Sequence, residues 1–445
     1  MCSAWTANAS FGTPLQAEEP MLVDLGSVSI VVPNRLIEAP EECPDKALGN
    51  LPGSNYSLIA SLTSRLVPFG SVACFDNPTS IKEPTSNSAC LMDVAYAVGE
   101  FFGPMVTDVM SLGGQDLTVN FAMPTKSFDC SISATRLLGM NQGKSSFLSQ
   151  AYDGGYVDET LVGICGGRGV NGSDNAPFMV LGSGADWLTA GDASSSISGI
   201  SGFPLYDGEG LAALEGYEEG FMSIAKNKSV NEVTKEHYYT VLNSIQLGND
   251  SFDQVQFIAM IDSGWTELGL YRSMIESLTS YVNQKLIEND MDEDIRLLLN
   301  PDQQSPKGCV EYNTSMYSDQ AALARLIYPT ITVTLQGGST ALIDLAETAA
   351  LYGESEGLQI MCSNVMQMED SDTIMLGTPF LIDRYTQLNP SEKKGYFTDI
   401  VECDQVKAAL QSRSNLDGPD ETANGSYQHT IWVAVFVAVL GQIAG

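Results

Sequence analysis

Residues 21–27 read MLVDLGS, and residues 258–265 read IAMIDSGW. In each stretch a short apolar run leads into an aspartate, Asp24 or Asp262, and a glycine follows two positions later. Such a run predicts a buried strand, and Asp-x-Gly predicts a tight turn at its end. Glycine allows close approach of another backbone. Because each half of the chain holds one copy, we predict that the two carboxylates meet face to face.

Two carboxyls at hydrogen-bond distance have a distinctive chemistry. They cannot both be ionised cheaply, so one keeps a proton and the other acts as a base. Such a pair can activate water against a peptide carbonyl without a metal or a covalent intermediate. Other interpretations stay open at this point. A single Asp-x-Gly also occurs in ordinary turns and metal loops, and glycosidases also use two carboxylates.

The charge balance excludes one class of partner. The chain has 55 acidic and 21 basic residues, which gives a formal net charge of −34. Nucleic acid is therefore excluded as a partner, because phosphate binding requires a basic surface. Two interpretations of the acidity remain. It gives a soluble, self-repelling surface, or it suits work at low pH, where protonation relieves the repulsion.

The cysteines and histidines argue against a metal centre. None of the nine cysteines forms a CxxC pair, and there are only two histidines. We therefore expect no metal and no cofactor. Asn-x-Ser sequons recur along the chain, which is typical of a secreted glycoprotein with bridged cysteines. The sequence does not show which disulfide partners the cysteines at 43, 74, 90, 130 and 165 have.

The two ends of the chain give conflicting indications about export from the cell. Residues 431–445 are apolar to the last residue, after a polar stretch with small residues. That order predicts a GPI-attachment signal near 424–426 or 415–418, and hence a secreted or cell-surface protein. A short membrane anchor and a buried C-terminal strand or helix are the alternatives. The N-terminus shows no signal peptide, so we expect an export signal to be missing from this sequence.

The remaining pattern predicts a mainly β protein with two lobes. Short apolar runs punctuated by turn residues predict strands, and the spacing in LYRSMIESLTSYVNQKL predicts a helix. The Ser- and Gly-rich stretch at residues 188–210 suggests an interlobe connection. We predict the following division: 1–187 N-terminal lobe, 188–199 connection, 200–402 C-terminal lobe, 403–430 disordered polar tail, and 431–445 hydrophobic signal.

Several motifs in the right order resemble the pepsin-like family of aspartic proteases. Besides the two Asp segments, they are ASFGTPLQ at 9–16, AYAVGEFFG at 95–103, LLGMNQGKSSFLSQ at 137–150 and IMLGTPFLIDRYTQLN at 374–389. The resemblance implies a bilobal β fold whose interlobe cleft holds a polypeptide substrate under a hairpin flap. It also implies an aspartic endopeptidase that is a monomer and touches membranes only through its anchor.

The resemblance assigns roles to individual residues. Asp24 and Asp262 would be catalytic, and Gly26, Ser27, Ser263 and Gly264 would support their loops. Tyr96 and Gly99 would belong to the flap, and a disulfide would join Cys309 to Cys362.

The chain also departs from the family pattern. Leu25 stands where a threonine hydroxyl usually braces the two lobes, and Trp265 stands where a hydroxyl usually contacts the second aspartate. Val31 replaces the tryptophan behind the flap tyrosine, and Ala97 replaces a flap glycine. Two hypotheses follow. The chain is an acid endopeptidase, or it is a catalytically weak or silent binding protein on the same scaffold.

Overall fold

The computed structural model describes the chain except for seventeen segments. These are residues 1–2, 34–55, 77–79, 82–88, 97–98, 128–135, 168–175, 184–199, 213–235, 254–255, 292, 299–306, 356, 369–372, 399–401, 417–430 and 440–445. The predicted interlobe connection, 188–199, lies outside the described residues, as do Cys43 and Cys130.

The described part of the first half is built mostly from strands, as its short apolar runs predict. They are β1 Ser3–Phe11, β2 Glu19–Asp24, β3 Ile30–Val31, β4 Arg65–Leu66, β5 Leu91–Tyr96, β6 Gly99–Leu112, β7 Gln115–Ala122, β8 Lys126–Ser127, β9 Leu137–Gly139, β10 Val162–Cys165, β11 Phe178–Leu181 and β12 Ser201–Pro204. A 3₁₀ turn at Leu58–Ala60 and the helices α1 Val72–Phe75, α2 Phe147–Asp153 and α3 Gly208–Ala212 lie between them.

The second half repeats this character and adds longer helices. Its strands are β13 Tyr239–Leu247, β14 Asp250–Phe252, β15 Phe257–Ile261, β16 Leu268–Tyr271, β17 Ile295–Leu298, β18 Cys309–Asn313, β19 Thr330–Leu335, β20 Thr340–Asp344, β21 Ala350–Ser355, β22 Leu358–Cys362, β23 Val365–Met368, β24 Ile374–Leu376, β25 Tyr385–Asn389, β26 Lys394–Phe397 and β27 Ile431–Val439. Its helices are α4 Arg272–Glu288, α5 Gln320–Ile327, α6 Leu345–Thr348, α7 Thr378–Leu381 and α8 Cys403–Leu416.

The strands form two β lobes with a shared sheet. One sheet runs β12-β26-β25-β10-β11-β27-β1-β2-β9-β3-β7-β6-β4, so it joins strands from both ends of the chain. A second sheet contains β13, β15, β16, β19, β20, β23 and β24, and a smaller one contains β17, β18, β21 and β22. Apolar residues such as Trp5, Phe121, Tyr238 and Leu278 are buried in one continuous core. The predicted mainly β, bilobal fold is confirmed.

The predicted helix over the LYRSMIESLTSYVNQKL stretch is α4. Met274, Ile275, Leu278 and Val282 are buried along it. Their spacing of one, three and four residues puts them on one helical face, which packs on the second lobe. Among the described residues, no α-helix has the length and apolarity needed to cross a bilayer.

The end of the chain differs from the sequence prediction in two ways. Residues 403–416 form α8 rather than a disordered tail, because Cys403 is bonded to Cys165 and Val406 and Leu410 are buried. Residues 431–439 form β27, which lies between β1 and β11 and pairs antiparallel with both. This matches the alternative of a C-terminal strand, and membrane attachment through the tail stays a prediction.

Candidate functional site: a buried aspartate pair between the lobes

Each aspartate ends a strand that has a parallel partner. β2 pairs with β9, and the Met140 amide beyond β9 donates to the Asp24 carbonyl at 2.8 Å. β15 pairs in parallel with β24, and the Asp262 amide donates to the Leu376 carbonyl at 3.2 Å. The two lobes therefore present their aspartates through the same local arrangement, as two similar sequence segments would require.

The two Asp-x-Gly turns interlock at the lobe interface. The Gly26 amide donates to Asp24 Oδ1 at 2.9 Å and to Asp262 Oδ1 at 3.1 Å, so it joins the two carboxylates. The Gly264 amide donates to Asp262 Oδ1 at 2.8 Å. A methyl group at Gly26 would overlap the Asp262 carboxylate, and one at Gly264 would overlap that of Asp24. Both positions therefore require glycine for close approach.

Burial and proximity shift the pKa of both carboxyls upward. Asp24 and Asp262 are each 8% exposed. Burial raises the pKa of Asp262 well above its usual range, and the negative charge of Asp24 beside it raises it further. Burial also raises the pKa of Asp24, although hydrogen bonds from Ser27 and Asp262 oppose the rise. Both shifts favour protonation, more strongly at Asp262, so the two carboxyls titrate as a coupled pair.

Among the described residues, one hydroxyl braces the two lobes beneath the pair. Ser263 Oγ donates to the Val23 carbonyl at 2.7 Å and accepts from the Leu25 amide at 3.1 Å. The corresponding residue of the other loop is Leu25, which is fully buried and has no hydroxyl to return these bonds. Half of the brace is therefore replaced by apolar packing.

The outer oxygens of the two carboxyls have different surroundings. Ser27 Oγ donates a short hydrogen bond to Asp24 Oδ2. On the Asp262 side the equivalent residue is Trp265, whose indole Nε1 is buried and has no hydrogen-bond partner in the described part of the chain. Thr266 does not replace the missing hydroxyl, because its Oγ1 donates to Glu267 at 2.8 Å. Asp262 thus lacks the support that Ser27 gives to Asp24.

The residues predicted to form the flap belong to two paired strands, and their role as a flap stays a prediction. β5 and β6 pair antiparallel, with Tyr96 opposite Gly99. Val31 is fully buried in an apolar cluster with Met92, Val94 and Phe101. The residue that replaces the family's tryptophan therefore packs beneath this hairpin.

Among the described cysteines, one disulfide forms at the predicted pair and two join cysteines whose partners the sequence left open. Cys309 is bonded to Cys362, Cys74 to Cys90, and Cys165 to Cys403. The last bond joins positions 238 residues apart. No spacing pattern indicates such a distant pairing.

Sequence reasoning also missed a segment that joins the lobes beside the pair. The Gln142 amide donates to the Glu236 carbonyl at 2.8 Å, and Gln142 Nε2 donates to the His237 carbonyl at 2.8 Å. Tyr238 donates from its hydroxyl to the Met140 carbonyl at 2.9 Å. The 137–150 motif contains Met140 and Gln142 but does not indicate these contacts, because all three end on backbone carbonyls, which every residue type supplies.

Solved structures with the same fold include two basic 7S globulins. Basic 7S globulin from soybean has a TM-score of 0.54 and 15% identity, over 91% of this chain and 96% of the globulin chain. Conglutin gamma, a basic 7S globulin from lupine seeds, has a TM-score of 0.55 and 14% identity, over 92% and 94%. No protein-family model matches the chain, and no curated protein matches it.

These findings correct two predictions made from the sequence. The chain was predicted to belong to the aspartic protease family and to be an active endopeptidase. Both predictions are contradicted, because no family model matches and the two solved structures named above are globulins. The physical reason is that a scaffold does not carry a reaction by itself. The shared fold was read correctly, but the site differs at Leu25 and Trp265.

Proposed function

We propose that the chain is a catalytically silent binding protein that holds an extended polypeptide in the cleft between its lobes. The observation that carries this proposal is the environment of Asp262. Its carboxyl is buried, and Trp265 occupies the position from which a hydroxyl would support it. Burial and the neighbouring Asp24 raise the pKa of Asp262, which favours its protonated form, a hydrogen-bond donor.

The aspartate pair then recognises peptide backbone. Asp262 presents an O–H donor, and Asp24 presents a carboxylate acceptor that the Ser27 hydroxyl and the Gly26 amide hold in place. A peptide group offers one carbonyl and one N–H, which complement such a donor–acceptor pair. Recognition of this kind is independent of side chains, so sequence preference would come from other parts of the cleft.

The test compares two isosteric variants in a binding assay. Fluorescein-labelled decapeptides with apolar central residues are titrated against the protein, and mass spectrometry checks whether the peptides stay intact. Asp24→Asn removes the charged acceptor and is expected to weaken binding by about tenfold or more. Asp262→Asn keeps a donor and is expected to stay within about threefold of the unsubstituted protein. Asp116→Asn, on the exposed face of β7, is the matched control.

Two outcomes would contradict this proposal. Cleavage of the decapeptides that both asparagine variants abolish would show an acid–base pair that turns over. Failure of every decapeptide to bind would show that the cleft does not hold polypeptide.

A further inference from the structure

Three of the Asn-x-Ser sequons lie in the part of the chain that the structure describes. They begin at Asn8, Asn249 and Asn313. A sequon is the acceptor for an N-linked oligosaccharide, which is bulky and hydrophilic and needs an asparagine that projects from the surface of the folded protein. The three asparagines differ in this respect, because Asn249 is exposed whereas Asn8 and Asn313 are half-buried.

Asn249 lies at the tip of a β-hairpin in the second lobe. β13 and β14 pair antiparallel with Leu247 opposite Asp250, so Gly248 and Asn249 form a two-residue turn. Gly248 has a φ of +59°, which glycine adopts without strain and which suits such a tight turn. Asp250 and Ser251, which complete the sequon, are exposed as well. The whole acceptor sequence is therefore displayed on the surface.

The other two described sequons are held within the folded structure. Asn8 is paired with Pro20 of β2, and β27 and β6 pair with the stretches of β1 on either side of it. Thr6, on the same face of the strand as Asn8, is only 8% exposed, so that face is largely covered. Asn313 Oδ1 accepts hydrogen bonds from the amide and the hydroxyl of Ser315, at 2.9 and 2.7 Å, which fix its side chain.

We propose that Asn249 carries an N-linked oligosaccharide in the exported protein. This proposal rests on the export that the recurring sequons predict and not on the proposed function of the cleft. Transfer from a lipid-linked oligosaccharide diphosphate forms a bond between Asn249 Nδ2 and the first sugar carbon and breaks the bond from that carbon to the diphosphate. The amide loses one proton, and the lipid diphosphate is the leaving group.

The oligosaccharide would lie far from the aspartate pair. Tyr239, at the start of β13, pairs with Met260, which is two residues before Asp262. β13 has nine residues, and at about 3.3 Å per residue its two ends lie about 26 Å apart. Beside the turn, the Ser277 hydroxyl of α4 donates to the Asp250 carboxylate. The sugar therefore emerges next to α4 and leaves the aspartate pair uncovered.

Site-resolved mass spectrometry of the secreted full chain tests this inference. The chain is produced behind a cleavable export signal in cultured eukaryotic cells, so that export itself is supplied. Peptide N-glycosidase then converts each occupied asparagine to aspartate, which marks the site. We expect Asn249 to be occupied in most molecules and Asn8 to be unoccupied, because a glycan on β1 would obstruct the sheet. An unmodified Asn249, or equal occupancy at Asn8 and Asn249, would overturn the inference.

Variants of the sequon confirm the site by mass. Asn249→Gln and Ser251→Ala remove the acceptor pattern at different residues, and both secreted proteins should lose the mass of one oligosaccharide. Ser251→Thr keeps the pattern and should keep the oligosaccharide. Asn283→Gln, at an exposed position of α4 outside any sequon, is the matched control and should leave the sugar unchanged. If Ser251→Ala carried as much sugar as Ser251→Thr, the assignment to Asn249 would be overturned.

Discussion

At the scale of single residues, the two halves of the site are alike in backbone and different in side chains. Glycine follows each aspartate at the same distance because each loop must approach the opposite carboxylate. The two carboxyls then have different support, because the Ser27 hydroxyl donates to Asp24 whereas the Trp265 indole N–H has no hydrogen-bond partner in the described part of the chain. The asymmetry of the pair therefore originates in one residue rather than in the fold.

Replacing Trp265 with threonine should lower the pKa of Asp262. A hydroxyl that donates to the charged form favours that form, in the way that Ser27 opposes the rise in the pKa of Asp24. The measurement is a pH titration of ¹³C-labelled aspartate carboxyl resonances. Trp265→Val removes the indole without adding a hydroxyl and serves as the control. An Asp262 pKa that stays the same in Trp265→Thr would show that burial alone sets it.

The aspartates and their glycines could be predicted because close packing leaves a local signature in the sequence. The environment of Asp262 could not, because the sequence does not show that the neighbouring Thr266 hydroxyl donates to Glu267 instead of supporting Asp262.

At the scale of elements, α8 shows how a polar sequence becomes ordered. Its apolar residues are few, but Val406 and Leu410 pack with Leu161 and Phe178, and the bond from Cys403 to Cys165 fixes its first turn. A polar composition predicts disorder only when nothing tethers the segment. The strands and α4 were predictable from periodicity, whereas this helix depends on a covalent link to a remote strand.

Removing that link should destabilise the protein more than removing the shorter disulfide. The Cys165–Cys403 bond closes a loop of 238 residues, and the Cys74–Cys90 bond closes one of 16. Chain-entropy arguments give about 3 kcal/mol for a 15-residue loop and about 4.7 kcal/mol for a 100-residue loop. Urea unfolding of Cys165→Ala/Cys403→Ala and Cys74→Ala/Cys90→Ala should show this order. The reverse order would mean that α8 is held mainly by its apolar contacts.

At the scale of the whole molecule, the buried aspartate pair makes the free energy of unfolding depend on pH. Folding raises the pKa of Asp24 and Asp262 above the ordinary value of 3.8. At a pH between 3.8 and the raised pKa values, the folded protein therefore binds more protons at these two residues than the unfolded chain does. The free energy of unfolding should therefore rise as the pH falls from neutral toward about 4. His237 opposes this trend, because burial lowers its pKa to about 4.

Comparison with a variant isolates the contribution of the pair. Urea unfolding is measured from pH 7 to pH 4 for the unsubstituted chain and for Asp24→Asn/Asp262→Asn. In the double variant, the free energy of unfolding should lose the increase at low pH that the two aspartates cause. It should keep the decrease that His237 causes. High salt screens the net charge of −34, so a difference that persists in salt belongs to the buried pair. If the free energy of unfolding changed with pH in the same way in both proteins, the raised pKa values of Asp24 and Asp262 would be contradicted.

The position of β27 has a consequence for any lipid-attached form of this protein. Attachment by a transamidation signal discards the peptide beyond the attachment residue, and here that peptide would include all of β27. The backbones of β1 and β11 would then each face a gap where β27 had paired with them. The anchored molecule would therefore have two unpaired strand edges to which another strand could add. Its sheet would differ from that of the chain described above.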